Sequence, residues 1–180
     1  NNKDLPAGIS IDLSDNPLNP ATIETQIPQL VTRGFIIQWS ATPPGSVALL
    51  FDANLEILIR KLINKPQGTI YSNDVARLTS INATNLNIVG LSGLEYCNSL
   101  RYLNLENNQI ADVTPLAGIT GLADLILNHN NIDDITALGG LQNLVSLSLD
   151  QNLILDFTPI TQLNNLAWLW LRDNKIEDLS

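Results

Sequence analysis

From Leu100 to Ser180 the chain repeats itself every 22 residues, and a fixed period of that length leaves few folds open. Four stretches, LRYLNLENNQIAD, LADLILNHNNIDD, LVSLSLDQNLILD and LAWLWLRDNKIED, open on Leu100, Leu122, Leu144 and Leu166. Each carries Leu at the first, fourth and sixth places, Asn at the ninth, Ile at the eleventh and Asp at the thirteenth. A unit this short cannot bury its apolar face alone, so the copies must stack as a solenoid with one continuous core.

Each residue type has a physical task at its place. Leu103 and Leu105 alternate with Tyr102 and Asn104, the period-2 pattern of a strand with one buried face. Asn108, Asn130, Asn152 and Asn174 fall just after the strands, where an amide can satisfy backbone groups that a turning coil would leave unpaired. Thr114-Pro115 and Thr158-Pro159 read as helix starts, with Thr as the cap and Pro in the first helical position; Thr136 repeats this without Pro. About ten residues remain for the return path, room for a 3₁₀ turn or a very short helix. The periodic Asp112, Asp134, Asp156 and Asp178 read as turn acceptors rather than a calcium ladder, since one carboxylate per coil lacks the clustered oxygens calcium takes.

The repeat begins earlier in a degenerate form. Leu78, Ile81, Ala83, Ile88, Leu91, Leu94 and Cys97 hold the apolar places of a unit at 78–99, with Leu86 where Asn is expected and Gly90 where Asp is expected. Cys97 therefore reads as a buried thiol. Upstream, Phe51, Leu55, Leu58, Ile59 and Leu62 follow helical spacing, with Asp52 as cap and Pro66 and Gly68 as the stop. Such a helix can cover the open apolar end of the first coil.

The pattern LxxLxLxxNxIxD resembles the 22-residue class of the leucine-rich repeat family. The segment FDANLEILIRKLINKPQGTIYSNDVARLTSIN resembles the N-terminal cap of bacterial surface proteins of that family, including the internalin group. The resemblance implies a right-handed α/β solenoid, with a parallel sheet on the concave side and short 3₁₀ or helical turns on the convex side. In ISIDLSDNPL, Ile11, Leu13, Asn16 and Leu18 fit the second half of the same motif. A helical stretch interrupted at Pro28 and closed by Gly34 follows, then FIIQW as a strand, which resembles the closing cap of an array. The expected organisation is a closing cap of an upstream array at 1–39, a Pro-rich linker at 40–47, a helical cap at 48–77 and an array at 78–180. The chain thus reads as part of a longer one, against the alternative of a complete protein with irregular ends.

Composition limits the function. The net charge of −9 from 18 acidic and 9 basic residues argues against nucleic acid, which needs clustered Lys and Arg. No apolar run is long enough to insert in a membrane. No phosphate-binding or dinucleotide fingerprint points to a cofactor, and the sole His and sole Cys fall on opposite sides of a coil, so no metal site is expected. His129, Ser148 and Asp150 invite comparison with a catalytic triad. Ser148 and Asp150 are only two apart on one strand, however, and nothing supplies an oxyanion hole, so no catalytic residue is assigned.

If the coils stack in register, the third-place column reads Ser80, Tyr102, Asp124, Ser146 and Trp168, and the fifth reads Asn82, Asn104, Ile126, Ser148 and Trp170. The seventh holds Thr84, Glu106, Asn128, Asp150 and Arg172, and the eighth Asn85, Asn107, His129, Gln151 and Asp173. Two Trp residues then stand on a wet face, as exposed aromatics at binding sites do. The expected binding face comprises Tyr102, Asn104, Asp124, Ile126, His129, Ser148, Asp150, Trp168, Trp170 and Arg172. The expected role is a non-enzymatic scaffold for a protein partner, on a secreted or cell-surface bacterial protein. Carbohydrate binding through the Trp pair, or a cytoplasmic regulatory subunit of an enzyme such as a phosphatase, is the alternative. Head-to-tail self-association through residues 8–39 and the coil at 166–180 is a further expectation.

Overall fold

The computed structural model describes residues 8–13, 25–38 and 47–177, without the side chains of Asp12 and Gln38. Asn16, Leu18, the linker at 40–46 and Asp178 lie outside the described residues. Strand β1 (Ser10–Asp12) pairs in parallel with β2 (Ile36–Gln38), and helix α1 (Ile27–Thr32) stands between them in sequence. Pro28 sits in the first turn of α1, where its missing N–H costs nothing. Gly34 closes the helix at φ 87°, a conformation that glycine adopts without steric penalty.

From Val47 onward the chain forms the solenoid. Leu49 N–H donates to the Ile70 carbonyl and Ser72 N–H to that of Val47, an antiparallel clasp that ties the start of the segment to its end. Helix α2 (Ala53–Leu62) buries Leu55 and Ile59 completely. Its cap is Asp52, whose Oδ1 accepts from Asn54 N–H at 2.9 Å and Leu55 N–H at 3.3 Å. The helix turns off at Asn64, which takes φ 53°; the left-handed residue is thus an Asn, with Pro66 and Gly68 beyond it. A second short helix, α3 (Ser72–Val75), was not foreseen: its only buried residue is Val75, too sparse a pattern to read.

Five strands follow, β3 (Ser80–Asn82), β4 (Tyr102–Asn104), β5 (Asp124–Ile126), β6 (Ser146–Ser148) and β7 (Trp168–Trp170). They form one parallel sheet in sequence order, each shifted by one 22-residue repeat from the last. In the middle row Ile81, Leu103, Leu125 and Leu147 are fully buried in the core, while Leu169 on β7 is 40% exposed, and the outward columns align as the repeat predicts. The return paths contain 3₁₀ turns at Leu94–Tyr96, Thr114–Leu116, Thr136–Gly140 and Thr158–Ile160. One core runs from Leu49 to Leu163. Cys97 lies in it fully buried; burial, and then the Glu95 charge, push its thiol up to about 12, so it carries almost no reactive thiolate.

The asparagine ladder links each coil to the one before it. Asn130 Oδ1 accepts from Ile110 N–H at 3.0 Å, and its Nδ2 donates to the Leu105, Leu127 and Asn128 carbonyls. Asn108, Asn152 and Asn174 repeat this one coil earlier or later. The expectation that Thr caps the return turns is corrected. Thr114, Thr136 and Thr158 are already the first turn residues and donate their N–H to Asp112, Asp134 and Asp156, each at 2.8 Å. A carboxylate two residues back closes a tighter ring than the Thr hydroxyl can reach.

Candidate functional site

The open face of the sheet is built by side chains that the alternation of β3 to β7 turns away from the core. Trp168 and Trp170 stand two apart on β7, so both project from this face. Their rings stack at 6.2 Å between centroids and 12° between planes. They are 61% and 37% exposed, and Leu169 between them is 40% exposed, whereas the middle residues of β3 to β6 are covered completely. An exposed indole pair ringed by polar groups makes this face the candidate binding surface.

Beside the pair, a chain of polar contacts crosses the coils. Asn128 Oδ1 accepts from Ser148 Oγ at 2.7 Å and from Asp150 N–H at 2.8 Å. Asp150 in turn takes three bonds from Arg172: backbone N–H at 2.7 Å, Nε at 2.9 Å and one terminal nitrogen at 2.8 Å. The Asp150 hydrogen bond and charge raise the affinity of Arg172 for its proton. Only 13% of the Asp150 side chain is exposed, against 79% of Arg172, so the carboxylate is committed while the guanidinium keeps donors toward solvent.

A shallow depression of about 290 Å³ opens among Glu106, Ile126, Asn128, Ser146, Ser148, Asp150, Trp170 and Arg172. It brings together five of the residues expected on the binding face, Ile126, Ser148, Asp150, Trp170 and Arg172, and adds Glu106, Asn128 and Ser146. Tyr102 and Asp124 are half-buried on the same face, outside the depression, and Trp168 stands beside it.

Three expected residues are more enclosed than their column suggests. Asn104, Ser148 and Asp150 are buried: they are small or committed side chains between neighbours 22 residues away on either side. Asn104 Oδ1 accepts from Glu106 N–H at 2.9 Å, which fixes the chain leaving the strand. His129 is a correction of another kind. It is not a strand residue but takes φ 55°, as do Asn107 and Gln151, with Asn85 at 60° and Asp173 at 56°. The eighth-place column is therefore a left-handed turn in every coil. Asn and Asp tolerate this conformation and their recurrence was a usable signal, masked by His129 and Gln151. Ser148 Oγ donates to Asn128 and Asp150 is held by Arg172, so neither is paired with His129. Among the described residues no three His, Cys, Asp or Glu side chains converge as metal ligands, and no helix is long and apolar enough to cross a membrane.

The family model for leucine-rich repeats (two copies) matches residues 76–118. An internalin (inlF) of Listeria monocytogenes is similar in structure, with a TM-score of 0.55 and 27% identity, over 71% of this chain and 45% of its own. A leucine-rich repeat protein of Leptospira interrogans has a TM-score of 0.54 and 28% identity, over 56% of this chain and 27% of its own. The chain thus spans less than half the length of either structure. No curated protein sequence matches it. Repeat period, one-strand-per-coil sheet and these likenesses agree: the chain is a leucine-rich repeat protein that resembles the internalins.

Proposed function

We propose that the array is a recognition scaffold whose sheet face binds a protein partner, and that it belongs to a secreted or surface bacterial protein. The observation that carries this is the stacked, solvent-exposed Trp168–Trp170 pair on a face whose other side chains are mostly polar. Large aromatics surrounded by polar groups are where binding energy concentrates. The likeness to the Listeria internalin supports the surface reading. We also propose that residues 1–39 close one array while 48–77 open a second; the parallel β1–β2 pair joined through α1, and the clasp at Val47–Leu49 with its capped helix α2, support that division.

The test is affinity for a partner captured from host-cell extract. Replacing both Trp168 and Trp170 by Ala should cost about 2 kcal/mol or more of binding with an unchanged melting curve. Unaltered affinity would remove the sheet face as the site. A glycan array probed with the same pair of proteins separates the carbohydrate alternative, and fractionation of the producing cells separates surface from cytoplasm.

A further inference from the structure

We infer that the depression between Glu106 and Trp170 receives an arginine side chain from a basic segment of the protein partner. This rests on the sheet face being the binding face and names what that face selects.

The charges on the face are unequal. Its three outward columns carry the carboxylates of Glu106, Asp124 and Asp150 against one guanidinium, Arg172. Asp150 and Arg172 satisfy each other. Glu106 and Asp124 keep carboxylates with no hydrogen bond or ion pair, so the face presents unmatched negative charge, as does the chain at −9. A basic partner is steered to such a face and an acidic one repelled.

Shape narrows the choice further. At about 290 Å³ the depression lies at the small end of ligand pockets and has room for a single long side chain. It offers an indole wall at Trp170, an apolar surface at Ile126 and one free carboxylate at Glu106. An indole face attracts a cation, and guanidinium most often. The alkyl stem of an arginine would lie on Ile126, with its planar head between the Trp170 ring and the Glu106 carboxylate. Arg172 limits the cation's access, because it already occupies the other carboxylate in the depression.

The experiment records the indole and backbone N–H signals of the isotope-labelled full chain during titration with blocked tripeptides Gly-Arg-Gly, Gly-Leu-Gly and Gly-Glu-Gly, and with methyl glucoside. The arginine probe should shift the Trp170 indole and the Glu106 amide saturably. Glu106→Gln, which keeps the backbone contacts and size, should weaken it about five- to tenfold, the scale of one lost charge-assisted contact. Arg172→Gln should tighten it, because Asp150 is then free to accept. Equal binding to wild type and Glu106→Gln, or saturable shifts with the leucine or sugar probe and none with arginine, would overturn the assignment. These probes read the depression alone. The partner assay with the Trp168 and Trp170 variants reads the face, so each reading fails by its own measurement.

Discussion

The coil at 78–99 has Leu86 where the later coils have Asn108, Asn130, Asn152 and Asn174, yet the bonds that cross from the next coil are all made. Asn108 Oδ1 accepts from Leu86 N–H at 3.1 Å and from Ile88 N–H at 2.9 Å, and its Nδ2 donates to the Ala83 carbonyl. The amide therefore serves the preceding coil as much as its own. The first coil has no coil before it to clamp, so it can do without one. Its outer side is served instead by the helical cap: Asp52 Oδ2 accepts from Val89 N–H at 3.1 Å while Oδ1 caps α2. An interior coil is held by a neighbour of its own kind, and the first coil by a carboxylate from a helix.

Four substitutions sharpen or break this contrast. The largest effect is expected for Asn130→Leu, which leaves the buried Ile110 N–H without its acceptor and takes from the Leu105 and Leu127 carbonyls one of the two amides that each accepts from. We expect a loss of about 3 kcal/mol, read as a lower urea midpoint at constant slope. Gly93→Ala comes next. Gly93 has φ 95°, and a Cβ there would stand 2.5 Å from the Phe51 ring, so strain plus displacement of Phe51 should cost about 2 kcal/mol and loosen the cap from the first coil. Asp52→Asn can keep the cap acceptor but puts an NH₂ donor where Oδ2 accepts from Val89 N–H, and should cost about 1 kcal/mol at neutral pH.

That loss carries a pH signature. Burial raises the Asp52 carboxyl, but N–H donors from Val89, Leu55, Asn54 and Gly90 together outweigh it and hold the group below its ordinary value of 3.8. Its contribution is thus complete above that value and fades as pH falls through the lowered one. The stability gap between wild type and Asp52→Asn should be flat near neutrality and close under acid. The smallest effect is expected for Leu86→Asn, a loss of under about 1 kcal/mol, because Leu86 packs only partly against the core and a new amide finds no preceding coil to clamp. A gain in Leu86→Asn comparable to the loss in Asn130→Leu would show that the ladder acts within coils, and the contrast would fail.

Much of this was legible in the chain because repetition multiplies weak signals. Four copies of Leu at the fourth and sixth places fixed the strand phase, and the shared period fixed the register that puts Asp124 beside Tyr102 and Ser146, and Trp170 beside Ser148. The helix of the cap was readable from Leu55, Ile59 and the Asp52 before it. Features written in geometry rather than residue type were not. The periodic Asp112 was readable as a turn acceptor, but that it displaces the Thr114 hydroxyl as the cap, and that the backbone at His129 is left-handed, depend on which atoms a tight coil brings within reach. The enclosure of Asn104, Ser148 and Asp150 depends on neighbours 22 residues away. The depression between Glu106 and Trp170 likewise depends on side-chain sizes in four coils at once, which no single repeat records.

The one-coil offset of the asparagine bonds also bears on how such a chain changes length over generations. Because Asn130 meets the eleventh place of whichever coil precedes it, and Asn152 would meet the same place equally well, removing 22 consecutive residues from the interior leaves every amide a matching donor and acceptor. A deletion that is not a multiple of 22 puts the ladder and the strand pairing out of phase together. Gene-level gain and loss of whole units is therefore nearly free for the fold. The reach of the binding face can grow or shrink by one strand spacing, about 4.8 Å, per event.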